Sequence, residues 1–429
     1  MLANVPYLNR LPVRETIVAC IVIIAISGVM MAQGLSFGVR MMVEASCYAI
    51  LALGFTIQWG YGGQLNAGVL GFLALGGYSA MAFSVPMNAA FWNTDLPQQL
   101  GWAIVRGIFY ILIVIGMSQI HRLGVPKKIR TWATIIVAFV LYMAMKSHFV
   151  PIASAIEREA QFIGGLGMHP LVGWLVGGLL AGIAGYFIGK ICLGLRSDYL
   201  VIATLGIAEI IKAVMVNEDW LTRGTLTVSP IPWPVPGPGD VGFLVSRSLY
   251  LTLTALLVLA IFLLLQRAFN SPWGRMIRSI RDNEISAAAM GKDINRRRLE
   301  IFVFGCILMG IGGAALTNFT SIFNAQGYLP LNHTFLILVM AILGGPGNNL
   351  GTILGAFLVY VIWVMSEPMA LYVMQAVIYI GDLWFSWEPP GNIGSRALQA
   401  RVFIIGLMIT LILRFAPNGL MPEKVKHDT

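Results

Sequence analysis

The sequence predicts an all-α integral membrane protein, a polytopic bundle of about ten to twelve transmembrane helices with some of them broken. Three observations carry this reading. Apolar residues make up 58% of the 429 positions and charged residues only 11%. A soluble domain carries about a quarter charged residues, so this chain cannot cover a water-facing surface, and lipid must solvate most of it. Charge is also absent from runs long enough to cross a bilayer several times, and 47 glycines are spread through those runs. Mean hydropathy is +0.80. Residues 1–429 read as one membrane domain.

A crossing helix needs about 20 apolar residues. In chain order, Thr16–Ala32 is the first candidate. Arg10 and Arg14 precede it in the manner of a signal peptide, but no small-residue cleavage site followed by polar sequence appears, so it reads as a retained span. Ala45–Thr94 lacks charge over a length sufficient for two crossings. Gly101–Gln119, Thr131–His148, Leu171–Gly189 and Tyr199–Val216 follow. Ser248–Gln266 provides one crossing and Ile301–Ser366 provides three. Val402–Leu413 is short, and Arg401 can snorkel to the interface beside it.

Loop charges set the orientation. The loop 267–298 holds Arg267, Arg275, Arg278, Arg281, Lys292, Arg296, Arg297 and Arg298 against Asp282, Glu284 and Asp293. The stretch His121–Arg130 and the tail with Arg414, Lys424 and Lys426 are also basic. All three belong on the cytoplasmic side. The loop 217–247 carries Glu218, Asp219 and Asp240 and a proline at every second position from Pro230 to Pro238. One span separates it from the basic loop, so it belongs outside, facing the periplasm.

Several functions are set aside by composition. The net charge of +9 comes from loops beside spans, where basic residues meet anionic lipid headgroups, so lipid and not nucleic acid is the expected contact. Cys20, Cys47, Cys192 and Cys306 lie apart in apolar runs and read as packing residues, without the paired spacing of disulfides or zinc sites. The histidines are scattered. No metal, cofactor or catalytic residue is expected, and no G-x-x-x-x-G-K-[ST] phosphate loop appears.

Four segments stand out. In Gly60–Met81, glycines interrupt an apolar region around Gln64 and Asn66. An unwound helix at membrane depth supplies backbone groups to a solute; a polar turn at the membrane surface explains the pattern equally. Gly62, Gly63, Gln64 and Asn66 are therefore candidates for a solute path. In Arg196–Ile211 and onward, Glu209 and Lys212 sit within a helical apolar pattern, either neutralising one another near the outer interface or touching the solute. In Gly274–Phe304, Trp273, Met276, Ile277, Ile280, Ala287 and Ala288 fall on one helical face, with Gly291 as the stop. This predicts a cytoplasmic amphipathic helix over Ser279–Gly291 that a peripheral subunit could grip or that rests on anionic lipid. In Leu338–Leu358, the run GGPGNNLG breaks any helix and divides two spans by a tight turn. Glycines four apart, at Gly173/Gly177, Gly178/Gly182 and Gly185/Gly189, suit close helix packing.

Together these segments resemble the branched-chain amino-acid ABC transporter permeases, specifically the larger of that family's two permease types. RSIRDNEISAAAMG, Arg278–Gly291, resembles the family's coupling-loop pattern R-A-I-R-E-N-E-I-A-A-x-A-M-G. Ser197–Ile210 resembles G-D-Y-L-A-I-x-T-L-G-x-x-E-I, and the segment from Ile342 resembles V-L-G-G-x-G-S-x-x-G-x-x-x-G. The order agrees from about Val43 to Leu420. The resemblance implies an inner-membrane permease of bacteria without catalytic activity. Its partners would be a homologous second permease, two cytoplasmic ATP-binding subunits and a periplasmic solute-binding protein. Arg278, Arg281, Asn283, Glu284 and Gly291 would belong to the region that couples to the ATPases. The chain departs from the family at LTRGTLTV, Leu221–Val228, where a T-G-G-x-x-G run is usual, and Asn88–Pro170 carries extra predicted helices that do not align with the family pattern.

The expected solute is a small zwitterionic amino acid with a branched aliphatic side chain; urea or a short amide is the alternative. An intramembrane enzyme would need clustered acids, histidines or a nucleophile pair. A secondary transporter would need coupling carboxylates, for which Glu44 and Glu209 are the candidates.

Overall fold

The structure, a computed structural model, describes residues 13–118, 126–385, 399–416 and 419–423. Among these, no β-strand forms; two isolated bridges pair Met87 with Gly164 and Val228 with Phe323. Nine of the described helices are long and apolar enough to cross a membrane, and two further described apolar helices, Val69–Ser84 and Asn332–Gly344, are shorter. The predicted fold class holds. Parts of the basic stretch at 121–125 and of the tail at 424–429 lie outside the described residues.

The first helix, α1 (Val13–Gln33), leads into α2 (Leu35–Thr56), which widens at its end into a π turn, Ile57–Tyr61. Almost every residue of α2 from Val43 onward is buried, so α2 is the axis of the bundle. A buried helix reads as apolar all round because no face meets water. After α2 the chain runs unwound to α3 (Val69–Ser84). The helices α4 (Leu96–Ser118) and α5 (Lys127–Glu159) follow, then α6 (Pro170–Cys192) and α7 (Ser197–Asn217). Next come α8 (Phe243–Asn270), two short helices α9 (Pro272–Asp282) and α10 (Glu284–Ala289), and α11 (Ile294–Thr320). The last elements are α12 (Leu336–Gly344), α13 (Asn349–Phe385) and α14 (Ala400–Phe415).

The core is built from α2, α3, α6 and α11, with α8, α12 and α13 packed around α2. The glycines of α6 serve this packing. Gly173 and Gly177 face Ser79 on α3, Gly178 and Gly182 face Ile307, and Gly185 faces Cys306 on α11. Large apolar side chains remain exposed on α1, α4, α5 and α6; this is the surface lipid covers. Cys47, Cys192 and Cys306 are buried, whereas Cys20 is exposed on α1, a lipid-facing position and not the packing position expected of it.

The helices α4 and α5 pack chiefly on one another. They share a small separate core of Phe91, Leu96, Leu100, Ile156 and Ala160, against which Trp220 rests. Helices α4 and α5 thus form a hairpin with its own small core beside the bundle.

Candidate functional site

The two ends of the bundle differ in chemistry. At the basic end, α8 reverses into α9 through Ser271, and Pro272 occupies the first turn, where a missing N–H costs nothing. The reversal is tight: a Cβ on Gly274 would collide with the backbone of Phe269. Arg278 Nη2 donates to the Phe269 carbonyl oxygen at 2.7 Å, satisfying an end carbonyl of α8. Ile277 and Ile280 bury the inner face of α9.

The single amphipathic helix expected over Ser279–Gly291 is two helices. Asn283 is extended at the break, with φ −153°, and its side-chain oxygen accepts from the Ser286 N–H at 3.0 Å. An asparagine that caps the next helix stops the preceding one. The break rotates the second helix, so Ala287 is buried while Ala288 is exposed. Gly291 has φ +74°, a left-handed conformation natural to glycine, and it ends the elbow. Glu284 does not stand free. It accepts from Arg298 Nη2 at 2.8 Å and from Nη1 at 3.0 Å, a bidentate pair that fastens α10 to the start of α11. What the elbow offers outward is apolar: Ile285 is 83% exposed and Met290 78%.

Arg281 reaches the other way. It pairs with Asp282 at 3.0 Å and with Glu423 at 2.8 Å, and it donates to the carbonyl oxygen of Gly60. Burial works against its charge, but Glu423 and Asp282 outweigh burial and hold its pKa above the ordinary value. Glu423 also faces Arg278 at 3.7 Å. Neither Arg298 nor Glu423 carried a signal in the sequence, because their partners lie 14 and 142 residues away.

The unwound segment between α2 and α3 begins at this elbow. Gly63 lies against the Arg281 side chain, and Gln64 Nε2 donates to the Arg298 carbonyl oxygen at 3.1 Å. Deeper in, Asn66 is fully buried and donates to Gln58 Oε1 at 2.9 Å. Gln58, a residue that sequence reasoning missed, in turn donates to the Phe302 carbonyl oxygen at 2.7 Å. Side chains also serve the free backbone: Ala67 N donates to Thr204 Oγ1 at 3.1 Å, Gly68 N to Asn66 Oδ1 at 2.8 Å, and Leu70 N to Thr334 Oγ1 at 3.2 Å. Unwound backbone at membrane depth persists only when protein satisfies it this way. The structure therefore joins Gly62, Gly63, Gln64 and Asn66 to the elbow and packs them. Glu209 is remote from them, exposed on α7 in a groove with Lys212, Asn217 and Gln326.

At the far end a cavity of about 1000 Å³ opens between α2, α8, α11 and the proline-rich loop. Its charged lining is Arg40, Glu44, Asp240 and Arg247; Thr317, Tyr328 and His333 also line it. A second cavity of about 720 Å³, walled by Tyr360, Trp363 and Tyr372, shares Arg40 and Glu44. Among the described residues, no group of three or more His, Cys, Asp or Glu side chains is placed to hold a metal ion.

A helical bundle with an interrupted central helix, a braced elbow at one end and a polar cavity at the other has the architecture of a solute-transport protein of the membrane. The chain belongs to the family described as the branched-chain amino acid transport system permease component, whose model matches residues 37–413. Members of this family are transport permease components. The chain is 26% identical over 267 residues to the probable branched-chain amino acid transport permease protein LivM of Methanocaldococcus jannaschii, covering 60% of this chain and 71% of that one. It is 29% identical over 254 residues to the high-affinity branched-chain amino acid transport system permease protein LivM of Escherichia coli, covering 53% of this chain and 58% of the relative. It is also 30% identical over 190 residues to the autoinducer 2 import system permease protein LsrC of Klebsiella pneumoniae, covering 42% and 50%. No solved structure matches the chain.

Proposed function

We propose that this chain is the membrane-spanning permease subunit of an ABC importer that carries branched-chain amino acids inward across the bacterial inner membrane. Its partners in this reading are a homologous second permease, two cytoplasmic ATP-binding subunits and a periplasmic solute-binding protein. The chain itself supplies no hydrolysis. The observation that carries the reading is the elbow α9–α10. Ion pairs to Arg298 and Glu423 brace it, it presents Ile285 and Met290 outward, and through Arg281 it touches the π turn at Gly60 and the unwound segment at Gly63. A braced elbow with an apolar tip suits a partner that must push on it, and a contact to broken helix converts that push into motion of the path. Arg278, Arg281, Asn283, Glu284 and Gly291 form this coupling region. Gly62, Gly63, Gln64 and Asn66 form the inner closure of the path; Glu209 stands apart from it.

Uptake of labelled leucine and labelled urea, in cells with and without the gene for this chain, tests the reading. Loss of leucine uptake alone is the expected result. Loss of urea uptake with leucine uptake untouched would overturn the choice of solute, and no change in either would overturn the importer.

A further inference from the structure

Glu44 is a carboxylate ten residues into α2, in a helix whose neighbours are almost all buried. Its side chain is only 12% exposed, and Arg40, one turn earlier, is 55% exposed. An ionisable residue at such a position is costly and serves a polar interior. Arg40 Nε donates to Glu44 Oε1 at 3.2 Å, and the hydroxyl of Tyr360 donates to Glu44 Oε2. The pair opens onto the cavity of about 1000 Å³, where Arg247 and Asp240 also stand. Arg247 is anchored through Nη1 to Ser36 Oγ at 2.8 Å.

Two cations and two anions line the space, so it carries no net formal charge. That matches a solute with separated charges and no net charge, whereas a singly charged ion would meet as much repulsion as attraction. Apolar walls lie beside the charges: Trp233, Phe243, Leu316 and Phe319. A brace that served α2 alone would be expected either packed or on an open surface. This one stands at the wall shared by two cavities. The volume is at the upper end for small-molecule sites, so an amino acid would enter partly hydrated and leave readily.

We propose that this cavity is a vestibule for a free α-amino acid, with Arg40 and Arg247 facing its carboxylate, Glu44 its ammonium group and the aromatic wall its side chain. The assignment of solute rests on the importer reading. The vestibule lies opposite the coupling elbow, so the two fail separately.

The test uses Thr320→Cys, an exposed position on the cavity wall at the end of α11. Intact cells are treated with a membrane-impermeant cationic thiol reagent, and the rate of modification is compared with that of the parent chain. Millimolar leucine should slow modification of Thr320→Cys at least threefold. 4-Methylvalerate, which lacks the ammonium group, and isoamylamine, which lacks the carboxylate, should not. Glu44→Gln should abolish the protection. Arg40→Gln, at a half-exposed position, should weaken it without disturbing the fold, which guards against collapse of the first variant. Equal protection by all three compounds would reduce the cavity to an apolar crevice. No protection by leucine, in cells where leucine uptake depends on this chain, would overturn the vestibule and leave the importer standing. Protection without any uptake dependence would support the site and sink the importer.

Discussion

One nitrogen of Arg281, Nη1, donates both to the Gly60 carbonyl oxygen and to the Glu423 carboxylate. This atom joins three parts of the chain: the elbow, the end of α2 and the carboxyl-terminal segment. A fourth part is close by. Glu423 packs against Gly347 in the turn between α12 and α13, where a Cβ on Gly347 would lie 3.0 Å from the carboxylate. Gly347 has φ +84°, so glycine is required there for conformation as well as space. Leu420 and Met421 reach the same turn, donating their backbone N–H groups to Leu343 and Gly344 at 2.7 and 3.2 Å. These contacts tie the elbow to the end of α2, the unwound segment and the turn.

Removing one member of this partly buried ion pair weakens the network, although Asp282 still faces Arg281 and Arg278 still faces Glu423. Glu423→Gln and Arg281→Gln should each reduce leucine uptake severalfold at unchanged membrane abundance. The two residues act on one another, so the double variant should be no worse than the more severe single variant. Additive losses in the uptake assay would show that they act independently.

Glu284 and Ile285 are neighbours with different work. Glu284 faces Arg298 within the chain, while Ile285 faces outward. Glu284→Arg places two cations together and should loosen the elbow; exchanging the pair, as Glu284→Arg with Arg298→Glu, should restore most of the lost uptake. Ile285→Asp should leave thermal stability unchanged and weaken co-purification of the ATP-binding subunits at least tenfold. Undiminished co-purification with Ile285→Asp would move the docking surface elsewhere.

The charge pattern predicts that the elbow and the loop 217–247 face opposite sides of the membrane. In the structure they lie at opposite ends of α8. Ser286→Cys and Thr225→Cys are both exposed positions. An impermeant thiol reagent added to intact cells should modify Thr225→Cys and spare Ser286→Cys until the membrane is permeabilised. The reverse pattern would invert the topology.

The spans were legible because a bilayer demands about 20 apolar residues, and charge gaps mark that length directly. Ile301–Ser366 illustrates the limit. It reads as three crossings, but its middle helix is only Asn332–Gly344, because the chain from Ser321 to Leu329 forms no more than one 3-10 turn, Ala325–Gly327. Hydropathy cannot distinguish a half-helix from a whole one when both are apolar. At the elbow, the motif marked the residues but not their partners. Glu284 read only as part of the coupling region because its partner Arg298 is on a different helix, and Asn283 read as part of one helix because its cap is a local backbone choice. The far cavity was invisible for a related reason. Arg40 and Arg247 are separated by 207 positions, and only the packing of α2 against α8 brings them to one space.

The final prediction concerns how tightly the core is closed. Without a hydrophobic difference between lipid and side chain, helices in a bilayer associate through close backbone approach at small residues. Gly76 of α3 meets the Gly310 carbonyl group of α11, and Gly310 in turn meets the backbone of Gly177 on α6. A Cβ at either of the first two would collide with main chain, which cannot rotate away as a side chain can. Gly76→Val and Gly310→Val should therefore separate α3, α6 and α11, lowering the detergent-solubilised protein's melting temperature by several degrees or preventing its accumulation. Gly116 on α4 provides the control. Nothing lies within 4 Å of a Cβ there, and replacing glycine in an exposed helix gains propensity. Gly116→Val should leave melting temperature and uptake unchanged or slightly raised. Fluorescence-detected size exclusion after a temperature series would read all three variants. Equal tolerance of valine at Gly76, Gly310 and Gly116 would show that the three core helices are not in backbone contact.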